Sequence, residues 1–303
     1  MNFINKYALI FDSIEGRVAK LAEALKQMNF KLVIASEPEK LINTINRSNQ
    51  ISAVLVCADY CIENNYGTKI IEQINDANPR LTTIWFDGKK KKKTKFENAK
   101  PKVMIEYLDS KNLMIQALSK KVLGHIYPQD RLNSFTDGCE KFLRRSFKMY
   151  ASPRTPFLRS SNKLFCNTFS MTFVQGDHLN GQIIVSTPYR FASDLYKRVS
   201  GLQEVSRNKV WDLMSEICNL VVGNFKSCFT DGISCRISIP TTFYSKKMEI
   251  IPKYCQPSLV IPFDEGPNTV FVEFNLDTFD PEESLKSRDN LEAASEDGDV
   301  CFL

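Results

Sequence analysis

Histidine and tryptophan are almost missing from this sequence, with two of each among 303 residues. His125 and His178 are too few for a multi-histidine metal centre, and they argue against a mechanism built on a Ser-His-Asp triad. No apolar run approaches the roughly 20 residues of a membrane-spanning helix. The nine cysteines include no Cys-x-x-Cys pair, and their odd, irregular set indicates reduced thiols.

The composition is that of a soluble globular protein, with 43% apolar and 25% charged residues. The N-terminus shows no basic segment followed by an apolar run and a cleavage site, so we expect no secretory signal. Together with the reduced thiols, these features predict a cytoplasmic protein without a membrane partner. A length of 303 residues favours two domains, each with its own core.

The net charge of +5 is unevenly distributed along the chain. A basic segment contains Lys89–Lys93, Lys95, Lys100 and Lys102, and an acidic segment follows Asp277. No aromatic platform is interleaved with the lysine run, so we expect no nucleic acid as a partner. Residues 279–303 combine many acids with few apolar anchors, which predicts a flexible acidic tail.

The first 124 residues alternate between short apolar runs and segments with helical periodicity. The predicted strands are Tyr7–Phe11, Lys31–Ala35, Ala53–Ala58, Leu81–Phe86 and Val103–Tyr107, with helices between them and a last helix through Val122. Strands that alternate with helices form βαβ units around a parallel sheet. We therefore predict an α/β domain with a doubly wound parallel sheet over residues 1–124.

Functional groups of such sheets gather at the carboxyl ends of strands, where Asp12 and Asp59 fall. The segment Asp59–Gly67 resembles the receiver domain of two-component response regulators, with the spacing from a phosphoacceptor aspartate to a glycine before the next helix. The resemblance covers residues 5–124 and has three departures: Ser13 replaces one of the paired acids, Asp87 the hydroxyl residue and Glu106 the lysine.

These departures remove the groups that an aspartyl-phosphate site needs. Such a site uses acids to hold a divalent metal, and a cation with a hydroxyl to hold the phosphoryl oxygens. Carboxylates at Asp87 and Glu106 would repel a phosphoryl group. We predict a degenerate receiver-like domain, while a live phosphoacceptor at Asp59 and a plain docking module stay open as alternatives.

Residues 129–278 read as a second domain with helices and antiparallel strands. The order α-β-β-α-α-β-β-β predicts an α+β fold in which helices cover a sheet. Its central helix, Trp211–Phe229, has two unlike faces. The apolar face is predicted to contain Val210, Leu213, Ile217, Leu220 and Phe225, and the polar face Asp212, Glu216, Asn219 and Gly223.

Glu216 and Asn219 are three residues apart, which makes their side chains neighbours on the polar face. The spacing alone is typical of a solvated helix face. The local sequences Gly181–Ser186, Ser215–Asn224 and Ile237–Thr241 resemble the CheX/CheC/FliY family of chemotaxis phosphatases, whose signature helix contains Glu-x-x-Asn. The other possible site of that family has Glu140 but Leu143 in place of asparagine, so the resemblance is to the one-site CheX branch.

This resemblance implies dephosphorylation of a phosphorylated CheY-like response regulator in chemotaxis or two-component signalling. Asn219 would orient the attacking water, and Glu216 would contact the partner's lysine. The resemblance also implies a homodimer, no metal or cofactor of the chain's own, and Mg²⁺ supplied by the phosphorylated partner. The alternative is a non-catalytic adaptor that uses both domains for docking.

Overall fold

The computed structural model describes residues 6–48, 50–67, 69–86, 101, 103–105, 129–160, 164–176, 179–230, 235–245 and 257–279. It divides the chain into two compact units. The first unit comprises residues 1–126, 155–163 and 250–260, and the second comprises residues 127–154, 164–249 and 261–303. Among the described residues, no helix has both the length and the apolar content needed to cross a membrane.

The first unit is built on a five-stranded sheet. Its elements are β1 Lys6–Phe11, α1 Glu15–Gln27, β2 Phe30–Ala35, α2 Pro38–Arg47, β3 Ile51–Cys57, α3 Ala58–Glu63, α4 Lys69–Ala77, β4 Thr82–Phe86 and β5 Val103–Ile105. The strand order is β2-β1-β3-β4-β5, and all four ladders are parallel. The predicted parallel sheet is confirmed, and its order is one of the two common orders of doubly wound folds.

Burial explains why the central strands are so apolar. All seven residues of β3 and all five of β4 are buried, so neither strand alternates between polar and apolar positions. Strands that are covered on both faces require such continuous runs. Apolar residues of α1, α2 and α4 join the same core as the strands.

The short helix α3 was missed in the sequence, because it follows β3 without a break. Asp59 therefore lies in the first turn of a helix and not in a loop after the strand. Gly67, which we predicted before the next helix, has a φ of 54°, a left-handed conformation that favours glycine. Asp87, Glu106, the lysine run and the helix predicted through Val122 lie outside the described residues.

Two segments that we assigned to the second domain are grouped with the first unit. In the first, the Ser160 hydroxyl donates a hydrogen bond to the Ile51 carbonyl at 2.5 Å. In the second, Arg80 donates to the Ser258 hydroxyl at 2.6 Å. These bonds join residues 109 and 178 positions apart, a pairing that local sequence patterns do not encode.

In the part that the structure describes, the second unit contains an antiparallel sheet and three helices. Its elements are α5 Gln129–Phe147, β6 Ser152–Pro153, β8 Thr168–Gln175, β9 Leu179–Thr187, α6 Tyr189–Ser200, α7 Arg207–Phe229, β10 Arg236–Ile237, β11 Thr241–Tyr244 and β13 Asn268–Phe279. The strand β12 is Ser258–Glu265, and in the second unit it pairs with β6 through Phe263 and Asp264. Its residues Ser258–Val260 belong to the first unit and pair there with β7, Phe157–Arg159.

The strand order of this sheet is β10-β8-β9-β13-β12-β6, with β11 also paired to β8. The ladders of β8 with β9, β10 and β11, and of β9 with β13, are antiparallel, as predicted. Strand β13 continues to Phe279, one residue beyond the predicted end of the domain, and the rest of the predicted tail lies outside the described residues.

Two details differ from the sequence interpretation. Pro153 and Pro156 predict a break at 152–161, but this stretch contains the short strands β6 and β7. The sequence Thr187-Pro188 predicts a helix start with threonine as its cap, but Thr187 instead donates its hydroxyl to the Thr269 carbonyl at 2.9 Å. The helix start is capped from another segment, because Asn167 Oδ1 accepts a hydrogen bond from the Tyr189 backbone at 2.9 Å.

Candidate functional site

The central helix α7 is amphipathic, and one residue lies on the other face from the one we predicted. Its buried residues are Val210, Leu213, Met214, Ile217, Cys218, Val221, Val222, Phe225 and Phe229. Leu220, predicted on the apolar face, is 37% exposed. It follows Asn219 directly, so an apolar side chain is present on the exposed face beside the polar pair.

Glu216 and Asn219 are both exposed on α7, as we predicted from their spacing. Within the part of the chain that the structure describes, neither side chain takes part in a hydrogen bond or an ion pair. Asp212 and Gly223 are exposed on the same helix, and nothing lies within 4 Å of a Cβ built at Gly223. The pair therefore stands on an open surface that a partner protein could approach.

The rotation of α7 about its axis is set by contacts on its other face. The Ser215 and Thr242 hydroxyls are 2.8 Å apart, and the Thr242 hydroxyl also donates to the Trp211 carbonyl at 3.3 Å. One turn along, the Cys218 thiol donates to the Ser170 carbonyl at 3.7 Å. Because Ser215 and Cys218 precede Glu216 and Asn219 by one residue each, these inward contacts direct the pair outward.

A close approach of two helices holds the second half of α7. Asn224 donates from Nδ2 to the Phe135 carbonyl of α5 at 2.7 Å and to the Cys139 sulfur at 3.4 Å. A Cβ built on Gly138 would lie 2.3 Å from Asn224 Oδ1. Only glycine at position 138 leaves room for this amide. Asn224, the last residue of the segment Ser215–Asn224, thus has a structural role in this chain.

We expect Gly138→Ala to lower the free energy of unfolding by about 1–3 kcal/mol, because the methyl group displaces a half-buried, hydrogen-bonded amide. Combining it with Asn224→Ala should cost less than the two single substitutions summed, since the clash is then gone and alanine favours the helix by about 1 kcal/mol. Urea unfolding of the four proteins of this double-mutant cycle measures the coupling.

Gly223→Ala in α7 is the matched control, because a Cβ at Gly223 meets open space. It should leave stability unchanged or raise it slightly. Additive effects of Gly138→Ala and Asn224→Ala would contradict the close approach.

The opening helix α5 does not carry a second polar pair. Leu143 is buried in the core, and Glu140 forms an i,i+4 ion pair with Arg144, with the Arg144 Nη2 atom 3.2 Å from Glu140 Oε1. Because Leu143 faces inward, α5 cannot present the side chains at positions 140 and 143 together to a partner. Glu216 and Asn219 are thus the only exposed Glu-x-x-Asn pair on the two helices.

The cysteine nearest to the pair is unsuited to nucleophilic catalysis. Burial raises the pKa of the Cys218 thiol to about 12, although its hydrogen bond to Ser170 acts in the other direction. A thiol attacks as its thiolate, which would be scarce at neutral pH. This observation disfavours a cysteinyl-phosphate route. All seven cysteines that the structure describes are free thiols.

In the first unit, the structure brings Asp12 and Asp59 together through a residue that we had not singled out. Arg17, in the first helix, contacts Asp12 with Nε at 2.9 Å and Asp59 with Nη1 at 3.5 Å. In the sequence, the only indication of this contact was that Arg17 lies five residues after Asp12. Within the described ranges, no group of three or more potential metal ligands occurs.

These features define the second unit as an α+β domain that presents an exposed carboxylate–carboxamide pair on its central helix. A family model described as "Chemotaxis phosphatase CheX" matches residues 169–264, about a third of the chain. The matched segment includes the whole of α7 and both residues of the pair. No curated protein matches the chain.

Several solved structures are similar to part of the chain. The chemotaxis protein CheX from Desulfovibrio desulfuricans has 20% identity and a TM-score of 0.44, over 48% of this chain and 99% of its own. A CheX–CheY–BeF₃–Mg²⁺ complex from Borrelia burgdorferi has 18% identity and a TM-score of 0.41, over 48% and 97%. FliY from Thermotoga maritima has 12% identity and a TM-score of 0.37, over 54% and 96%.

Proposed function

We propose that the second unit hydrolyses the aspartyl phosphate of a CheY-like response regulator in chemotaxis or two-component signalling. The observation that carries the proposal is the exposed pair Glu216 and Asn219, inside the segment that matches the CheX family model. The pair stands on a helix whose other face is anchored to the sheet. A rigid, open presentation is what a group acting on another protein requires.

The chemistry assigned to Asn219 is the orientation of a water molecule. Its carboxamide has both a donor and an acceptor, so it can hold a water in line with the bond to be broken. The water oxygen bonds to phosphorus, the bond between phosphorus and the aspartyl oxygen breaks, and its electron pair stays on that oxygen as the free carboxylate. Both protons of the water are carried by the released inorganic phosphate. Phosphoryl transfer depends mainly on such positioning and on charge neutralisation.

Glu216 is assigned to binding. A carboxylate on an exposed helix face pairs with a cation of the regulator, which we take to be the lysine beside its phosphoryl group. The Mg²⁺ of the reaction belongs to the phosphorylated regulator and enters as part of the substrate. The chain needs no metal or cofactor of its own in this scheme.

Glu216→Gln should raise the KM for the phosphorylated regulator by about tenfold and lower kcat much less, because an interfacial charge pair is lost while the water-positioning amide remains. Steady-state phosphate release at low and moderate salt measures both constants. The salt dependence of KM should also weaken in this variant.

Glu204→Gln is the control, since Glu204 is exposed in the segment before α7 and loses the same charge. It should leave KM near the wild-type value. An unchanged KM for Glu216→Gln, or an equal rise in the control, would remove Glu216 from the interface.

The alternative function is an adaptor that binds a regulator without catalysis. The two functions differ in one measurement: an adaptor binds the phosphorylated regulator and leaves its rate of phosphate loss unchanged.

We further propose a cytoplasmic homodimer in which the first unit, a degenerate receiver-like module, directs or regulates the second. Sedimentation of the full chain tests the dimer.

A further inference from the structure

A guanidinium group lies between the two carboxylates at the functional edge of the first unit. Arg17 donates to Asp12 through Nε at 2.9 Å and Nη2 at 3.1 Å, and its Nη1 atom is 3.5 Å from Asp59 Oδ2. Asp12 is fully buried, and the side chains of Arg17 and Asp59 are 13% and 18% exposed. One cation therefore serves both acids.

The position of these acids is one where a divalent cation is commonly held. Asp12 follows β1 and Asp59 follows β3, and these strands are parallel neighbours, with Phe11 opposite Val56. The carboxyl ends of neighbouring strands bring their following residues together. Two carboxylates in such a place suit Mg²⁺, which binds through one or two carboxylates and keeps several waters.

The residues present do not fit Mg²⁺, because Arg17 uses the oxygens that would hold it. Asp12 Oδ1 accepts from Arg17 and from the Ile14 backbone at 3.0 Å, and Asp12 Oδ2 accepts from Arg17 Nε. Asp59 Oδ2 has no hydrogen-bond partner among the described residues, and its ion pair is with Arg17. An ion entering between the acids would meet the guanidinium charge at close range.

The guanidinium of Arg17 also stays positively charged in its position between Asp12 and Asp59. Burial lowers the pKa of Arg17, but the hydrogen bond to Asp12 and the negative charges of Asp12 and Asp59 outweigh it, so its pKa is raised. Arginine therefore keeps its charge at every physiological pH. Asp12, buried and bound in a two-point contact, is a charge that would be costly to leave without a cation.

We propose that Arg17 is a built-in cation that takes the place of a divalent metal ion between Asp12 and Asp59. The first unit then loads no Mg²⁺ at this edge, and its conformation does not depend on the Mg²⁺ concentration. Asp59 then also lacks the divalent metal ion that would bind the oxygens of a phosphoryl group during aspartyl-phosphate formation. This proposal does not rest on the activity assigned to the second unit.

The test compares divalent-ion binding by the full chain and by Arg17→Gln. Titration with Mn²⁺, followed by the electron paramagnetic resonance of the free ion, counts sites per chain. Wild type should show no site that depends on Asp12. Arg17→Gln should gain one site per chain, with an affinity at least roughly tenfold above any weak background binding, because two carboxylates are released for the ion.

Thermal melting gives a second readout. In a Trp211→Phe background, Trp85 of β4 is the one remaining tryptophan and reports on the first unit. Millimolar Mg²⁺ should leave the wild-type melting temperature unchanged and raise that of Arg17→Gln by a few degrees, since ligand binding to the native state stabilises it.

Three further variants make the result specific. Lys26→Gln removes one exposed positive charge from the same helix and should behave as wild type. Asp12→Asn with Arg17→Gln should abolish the new Mn²⁺ site. Arg17→Lys keeps a positive charge at this position, so it tests the proposal even if Arg17→Gln does not fold. Because its ammonium group cannot contact both acids, the affinity for Mn²⁺ should lie between those of wild type and Arg17→Gln.

Two results would overturn the proposal. One is an Asp12-dependent Mn²⁺ site in the wild type, abolished by Asp12→Asn. The other is an absence of any added Mn²⁺ site and of any Mg²⁺ stabilisation in both Arg17→Gln and Arg17→Lys. Neither outcome bears on phosphate release by the second unit.

Discussion

Asn219→Ala is expected to lower the rate of phosphate release from a phosphorylated CheY-like regulator at least about 100-fold, because the attacking water loses the group that orients it. The fold should be unaffected, since the Asn219 side chain is exposed and makes no hydrogen bond to the described residues. The loss should appear in kcat, with binding of the regulator largely retained.

The measurement is single-turnover phosphate release from CheY-like regulators that were phosphorylated with acetyl phosphate. Asn208→Ala is the matched control, because Asn208 is an exposed asparagine three turns earlier on the same helix. It should keep the wild-type rate. Unchanged release by Asn219→Ala would exclude the proposed role, and binding of a regulator without any release by the wild type would favour the adaptor.

Asn219→Asp tests whether the amide group of Asn219, and not only the size of its side chain, is needed to position the water. The substitution keeps the size of the side chain, replaces the amide donor with an oxygen and adds a negative charge beside the phosphoryl group. We expect a loss at least as large as that of alanine, because the carboxylate both loses the donor and repels the substrate.

Phe274→Ala is expected to lower the free energy of unfolding of the second unit by about 3–5 kcal/mol, the range found for large-to-small substitutions of buried aromatic residues. Phe274 lies on β13 and is fully buried. Its ring centroid is 5.1 Å from that of Phe135 and 5.0 Å from that of Phe225. The substitution therefore removes ring contacts between the sheet and both α5 and α7.

Phe173→Ala is the matched control, because it deletes the same atoms from a strand of the same sheet at a position that is 46% exposed. Its cost should stay below about 1 kcal/mol. In a Trp85→Phe background, Trp211 fluorescence during urea unfolding reports on the second unit alone. Equal costs for the two substitutions would show that Phe274 is not central to this core.

The sequence by itself determined the parts of this protein that depend on local periodicity. Apolar runs such as Ala53–Ala58, alternating with helical segments, predicted the parallel sheet, in which the structure has this strand at Ile51–Cys57. The 3.6-residue repeat of α7 placed Glu216 and Asn219 on an exposed face, as the structure has them. Motif spacing around that pair also led to the family whose model matches residues 169–264.

Only the tertiary structure decided the features that join distant segments. Asn224 requires glycine at position 138, across two helices, and Thr187 bonds to Thr269 where we had predicted a helix cap. Leu220 is exposed, while its neighbours Val221 and Val222 are buried, which the predicted apolar face did not reveal.

The clearest example is the edge of the first unit that contains Asp12 and Asp59. There the sequence predicted a degenerate receiver site, because one acid, the hydroxyl residue and the lysine of such a site are replaced. The structure adds what is present: Arg17 folds back from α1 onto Asp12 and reaches Asp59 on α3, 42 positions further along the chain. The sequence shows which charged residues the chain contains. Which of them form ion pairs depends on the distances between them in the folded structure. That pairing is a property of the folded chain.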